Sequence, residues 1–170
     1  DFITANGANI QVLGDDYAFA QYNNTTGQYT RYATDNSDTG SFTPAQGYAM
    51  AMSPEDLPPP PVGGAAGTTV AFTGAMETIS QGINIVNNHA NGAGGRRWNL
   101  VSNPFPSYIS GNAAAGVTNF IDANSTVIDN ERLAVYGWNG SDYDIYNQLS
   151  GGFSMAPGQG FWVAAASTSD

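Results

Sequence analysis

The sequence predicts an all-β fold: an antiparallel β-sandwich of jelly-roll or Greek-key type, built from two pseudo-repeated halves. Three observations predict it. Short alternating runs recur at 9–13, 17–22, 28–32, 47–52, 68–73, 98–102, 133–138, 143–146 and 160–164, each bounded by Gly, Asn, Asp or Pro. Much of the polar content is Gly, Asn, Thr and Ser beside many Tyr and Phe, a mixture that suits pleated surfaces and tight turns. The pattern of the first half also returns in the second.

Taken in order, the first copy runs from Tyr17 to Ala51 and the second from Leu133 to Ala165. Laid together, Ala134 matches Ala18, Trp138 matches Tyr22 and Asn139 matches Asn23. After a two-residue offset Tyr143 matches Tyr29 and Tyr146 matches Tyr32. Pro157-Gly158-Gln159-Gly160-Phe161 then matches Pro44-Ala45-Gln46-Gly47-Tyr48. In the second copy Asn139-Gly140 reads as a two-residue type I′ hairpin turn, with both residues at positive φ. In each Pro-x-Gln-Gly element the proline sets φ, Gly160 or Gly47 turns tightly before a strand, and Gln159 or Gln46 bonds loop backbone through its amide.

Between the halves, about 1–53 and 68–170 of one domain, lies a Pro/Gly-rich linker at 54–67. Its four consecutive prolines, Pro58 to Pro61, favour a stiff polyproline II segment, read as a spacer or as a site for proline-binding domains. Residues 87–95 read as an exposed loop. Within 116–125, Val117, Phe120 and Ile121 recur at i, i+3 and i+4, the spacing of one short helix, with an irregular crossover loop as the alternative.

Composition excludes several functions. The 170 residues carry 14 Asp+Glu against 4 Lys+Arg, a net charge of −10, and all four basic residues are arginine. Nucleic acid and anionic membranes call for a basic patch that this balance does not supply. No stretch approaches the ~18 apolar residues of a spanning helix, so membrane insertion is not expected. The absence of cysteine removes disulfides, thiol catalysis and zinc–thiolate sites. The opening residue is Asp1 rather than methionine, which leads to the expectation of a piece cut from a longer protein.

The run Arg97-Trp98-Asn99-Leu100-Val101-Ser102-Asn103-Pro104-Phe105-Pro106-Ser107 resembles a "GWNLVGNPYPS" signature. Phe72-Thr73-Gly74 precedes it, and Tyr136-Gly137-Trp138-Asn139-Gly140, Tyr146-Asn147 and a Pro-Gly-Gln-Gly-Phe-Trp-Val run at 157–163 follow in matching order. The combination, from about 70 to 165, is similar to β-rich modules of secreted and cell-surface Bacteroidota proteins exported by type IX secretion. That resemblance implies an extracytoplasmic location and a β-rich module near the end of a multidomain protein, and it supplies no activity. Trp98, Asn99, Asn103, Pro104, Gln46, Gln159 and Gly160 are then residues of a structural motif. The family's first copy opens with a strand equivalent to 98–104, for which residues 1–6 carry no match. An open strand edge in the first half is therefore expected to meet neighbouring domains or subunits.

Candidate chemistry is sparse. One histidine, His89, stands without a G-x-S-x-G turn, and no glycine-rich phosphate loop is present. Asp122, Asp129, Glu131, Asp142, Asp144 and Glu77 include acids enough for a carboxylate pair, but most fall at turn ends where they cap backbone N–H groups. No catalytic residue is assigned. Asp35, Asn36 and Asp38 crowd oxygen ligands into one loop and form the candidate calcium site, with an ordinary solvated turn as the alternative. Trp98 and Trp162, flanked by apolar residues, read as core. Trp138 and Tyr143 straddle a hairpin and, with Asn139 and Asp142, form a candidate glycan-binding face. The resulting expectation is a non-catalytic structural or adhesive module, with a carbohydrate-binding module beside a polysaccharide-degrading enzyme as the alternative.

Overall fold

A computed structural model describes residues 2–24, 26–35, 42–51, 70–88, 97–116 and 118–166. It is an all-β protein with antiparallel sheets. Two compact units emerge: Asp1–Gln21, Tyr29–Thr43 and Tyr48–Ala75 form the first, and Tyr22–Gln28, Pro44–Gly47 and Met76–Asp170 the second. The linker at 54–67, His89 and Val117 lie outside the described residues. Among the described residues no helix is long and apolar enough to cross a membrane.

The first unit opens with a helical turn that the sequence pattern does not announce, α1 (Phe2–Asn6), which buries Ile3. Strands β1 (Val12–Leu13), β2 (Asp16–Asn23) and β3 (Gln28–Ala33) follow in that spatial order, and β4 (Tyr48–Met50) also pairs with β2. Ile3, Ile10 and Phe19 form its core, with Phe2, Tyr17, Tyr32 and Tyr48 packed against them. The strand expected at 68–73 is not formed over 70–73. The Asn6 side chain takes the place of a neighbouring strand there: its Oδ1 accepts from Ala71 N at 2.8 Å and its Nδ2 donates to Ala71 O at 2.9 Å. Backbone polar groups need partners, and one amide side chain supplies both.

The second unit holds a four-stranded sheet, β5-β10-β7-β8, from β5 (Trp98–Ser102), β7 (Val135–Trp138), β8 (Tyr143–Tyr146) and β10 (Gly160–Ala164). A pair of two-residue strands, β6 (Ile109–Ser110) and β9 (Ser154–Met155), and α2 (Phe120–Ala123) complete it. Helix α2 lies within the expected 116–125 window; its N-cap Asn119 accepts from Asp122 N. Strand alternation sends Val101, Val135, Phe161 and Val163 to one face of the sheet, where Ile121, Ile128 and Met155 bury them in a sandwich-like core.

The two copies share order and register. β4-β2-β3 in one corresponds to β10-β7-β8 in the other, and the pair Ala20–Ala49 stands where Tyr136–Trp162 stands in the second copy. The Pro-x-Gln turns match as well, with positive φ at Ala45 (62°) and Gly158 (72°). The expected sharp turn at Gly160 is therefore displaced: Gly158 takes the left-handed position and Gly160 is already in β10. Nor is the Asn139-Gly140 turn type I′, since only Gly140 has positive φ. A four-residue loop replaces it, organised by Asn139 Oδ1, which accepts from Ser141 N (3.0 Å) and Asp142 N (2.9 Å).

Strand β5 is bonded along both edges. β10 occupies one, and on the other Gly47 N donates to Leu100 O (3.1 Å), Ser102 N to Ala45 O (2.8 Å), and Gln46 Nε2 to Leu100 O (3.0 Å). A Cβ on Gly47 would lie 2.6 Å from Leu100 Cγ, so this close approach requires glycine. One strand of the second half thus receives the Pro-x-Gln-Gly turn of each copy.

Candidate aromatic groove

The face of the four-stranded sheet opposite its core is the chemically distinctive surface of the second unit. Antiparallel register places Leu100 opposite Trp162, Trp98 opposite Ala164, Tyr136 opposite Trp162, and Trp138 opposite Tyr143. Strand alternation sets these residues on the side away from Val101, Phe161 and Val163. The small Ala164 leaves room for rings from β5 and β7 to meet above β10. Trp98 and Tyr136 do so at 4.7 Å between centroids, inclined at 86°. Tyr22 meets Trp162 at 4.7 Å and 79°.

Tyr22, Trp98, Tyr136, Tyr143 and Trp162 line a groove of about 300 Å³. Such a volume is at the lower end of small-ligand sites. Trp98 and Trp162, expected in the core, are half-buried and form its walls. Apolar neighbours along a strand show that both faces of the sheet avoid water; they do not show which face is covered. Burial pushes the Tyr136 hydroxyl up from its ordinary pKa, with nearby Arg132 opposing and Asp129 reinforcing the shift.

Of the candidate glycan residues, Trp138 is 59% exposed and Tyr143 is 45% exposed, their rings 5.1 Å apart and inclined at 62°. Asn139 and Asp142 are engaged within their own loop. Asn139 Nδ2 donates to Asp144 Oδ1 (3.0 Å), and Asp142 Oδ1 accepts from Tyr143 N (2.7 Å). Trp138→Ala is expected to cost about 1–2 kcal/mol of stability, because more than half of the residue is exposed. Urea unfolding checks this, and a loss above ~3 kcal/mol would place the ring in the core.

The motif residues are structural in their contacts. Asn99 bonds both polar groups of Val86 and the Arg97 carbonyl. Asn103 is fully buried, donating to Ser107 O (2.8 Å) and Met155 O (3.1 Å) and accepting from Phe105 N (3.0 Å), with Pro104 between. Gln159 Oε1 accepts from Ala156 N across the Pro-x-Gln turn (2.8 Å). Of the candidate calcium ligands, Asp35 lies in an exposed turn after β3, while Asn36 and Asp38 lie outside the described residues.

Near the groove sits an ion-pair cluster that the sequence reading left as a set of turn caps. Asp129 Oδ2 accepts from Arg97 and, at 3.2 Å, from Arg132, which also pairs with Glu131 at 3.2 Å. Burial raises the Asp129 pKa, but the Arg97 hydrogen bond, the Glu131 N–H and the two guanidinium charges outweigh it, and the net shift is downward. Two arginines 35 residues apart in sequence carry no local signal that they share one carboxylate. No protein-family model, no curated protein and no solved structure matches this chain.

Proposed function

We propose that the chain is a non-catalytic module of a secreted or cell-surface bacterial protein, and that it works by adhesion through the aromatic groove. One observation carries this reading: five rings from five strands line one groove on a sheet whose other face is packed into the core. Aromatic faces of this kind supply contact area at low entropic cost, while the only polar atoms on these side chains are tyrosine hydroxyls and indole N–H groups. The resemblance of 70–165 to modules of type IX-secreted proteins supports the location.

Beads coated with the intact protein test the reading on a panel of polysaccharide, lipid and protein surfaces. Retention on at least one surface is expected, with a loss of at least tenfold for Tyr143→Ala. Retention nowhere, or equal retention by the variant, would overturn the groove as an adhesive face. Far-UV circular dichroism of the variant confirms that its fold is kept.

A further inference from the structure

One stretch packed against the core of the second unit behaves as a strand without a ladder. Burial alternates through it with a period of two: Gln81, Ile83, Ile85 and Asn87 are half-buried, while Ser80, Gly82, Asn84 and Val86 are exposed. Ile83 and Ile85 pack against the buried cluster of that unit. Side chains anchor its far end. Asn99 Oδ1 accepts from Val86 N (3.0 Å), Asn99 Nδ2 donates to Val86 O (3.1 Å), and Asn87 Nδ2 donates to Ala165 O (3.1 Å). At the near end Gln81 and Glu77 bond through their side chains alone, at 2.7 Å.

Between these anchors the backbone is bare. Among the described residues no hydrogen bond involves the backbone of 80–85 on either edge. A Cβ on Gly82 would meet nothing within 4 Å, so the outward side of the stretch is open there. Rows of unpaired N–H and C=O groups invite another strand, and proteins guard such edges with charged residues or proline. Residues 78–88 contain no Asp, Glu, Lys, Arg or Pro. They carry instead Ile79, Ile83, Ile85 and Val86, β-branched residues suited to strand pairing.

Charge selects the occupant. A basic strand would find no carboxylate along 78–88, and an acidic one would meet a chain of net charge −10. The strand that fits is uncharged, alternates in burial with a period of two, and has backbone bonds of its own to make. Residues 80–85 of a second copy have all three properties. We infer that residues 80–85 pair antiparallel with the same residues of a second copy across a two-fold axis. Such an isologous contact closes on itself as a dimer. The interface is small, so the dimer is weak and transient in solution, and it is favoured where copies tethered on one surface meet at millimolar effective concentration. The aromatic groove plays no part in it.

Sedimentation equilibrium of the intact protein from about 10 µM to about 1 mM tests the inference, together with residue-resolved amide hydrogen exchange. A monomer–dimer equilibrium is expected, with alternate amides of 80–85 exchanging at least twofold more slowly at the top concentration. Both copies are acidic, so dimerisation should strengthen as salt rises from about 50 to about 500 mM, the opposite of an ion-paired interface. Asn84 is exposed, so a charge placed there spares the core. Asn84→Lys and Asn84→Asp should each weaken dimerisation at least fivefold, and an equimolar mixture of the two should restore it, because opposite charges then face each other across the axis. A monomer at every concentration, a dimer unchanged in both single variants, or one that mixing does not restore would overturn the inference. So would concentration-dependent protection at other strands with 80–85 unchanged. The exchange measurement uses the unsubstituted protein, so a folding defect in a variant leaves the test intact. Surface retention by a strictly monomeric protein would remove this inference and leave the adhesive reading standing; dimerisation without retention would do the reverse.

Discussion

Asn103→Ala should lower the unfolding free energy by about 3 kcal/mol, one of the two largest effects expected of a single substitution here. The side chain is fully buried and bonds three separate backbone groups, those of Ser107, Met155 and Phe105. Each is left short of a partner when the amide goes, and the Met155 carbonyl is cut off from water, where an unmade bond costs ~1–3 kcal/mol. Asn103 also holds the chain at the end of β5 through its backbone, its N–H donating to Gln159 O and its carbonyl accepting from Gly158 N. Asn103→Asp is the sharper variant. It keeps the acceptor for Phe105 N but turns a donor into a second oxygen facing two carbonyls, so it should be about as damaging at pH 7 and recover partly in acid. Urea denaturation at two pH values reads both effects. A loss under about 1 kcal/mol for either variant at neutral pH would show that water replaces the amide.

Asp129→Asn should cost about 3 kcal/mol at neutral pH, because it leaves Arg97 and Arg132 facing each other without their shared counter-charge. The side chains of Asp129 and Arg97 are 11% and 17% exposed, so solvent screens the pair poorly. The pH dependence has a definite sign. The Asp129 pKa is lowered in the folded state from the ordinary 3.8. Its contribution is therefore present in full above that value, and is lost as pH falls below it and through the folded-state pKa. Stability measured from pH 7 to pH 2 should show wild type and Asp129→Asn converging below about pH 3.8. Curves that remain parallel over that range would show that Asp129 contributes nothing through its charge.

The duplication illustrates what can be read without a structure. Alternation and bounding Gly, Asn and Pro residues are local properties, and they place β2, β3, β5, β7, β8 and β10 close to where the chain forms them. The same alignment pairs Gln46 with Gln159 and Asn23 with Asn139, and each of these pairs occupies matching turns, with Asn23 Oδ1 accepting from Thr26 N as Asn139 Oδ1 accepts from Asp142 N. Turn geometry was less legible. The sequence permits Asn-Gly to form a type I′ turn, but the bonds made by the Asn139 side chain favour a longer loop. Strands of two residues, β6 and β9, leave too short a pattern to detect.

By itself the sequence determined the all-β class, the internal repeat, the lysine-free acidic character and the position of the hairpin aromatics. Only the tertiary structure decided that Asn6 replaces a strand partner for Ala71, that Arg97 and Arg132 converge on Asp129, and that Trp98 and Trp162 wall a groove. The physical reason is range. Backbone preference depends on a residue and its near neighbours, whereas the side of the sheet on which Ile121, Ile128 and Met155 pack depends on how the segments between its strands fold back over it.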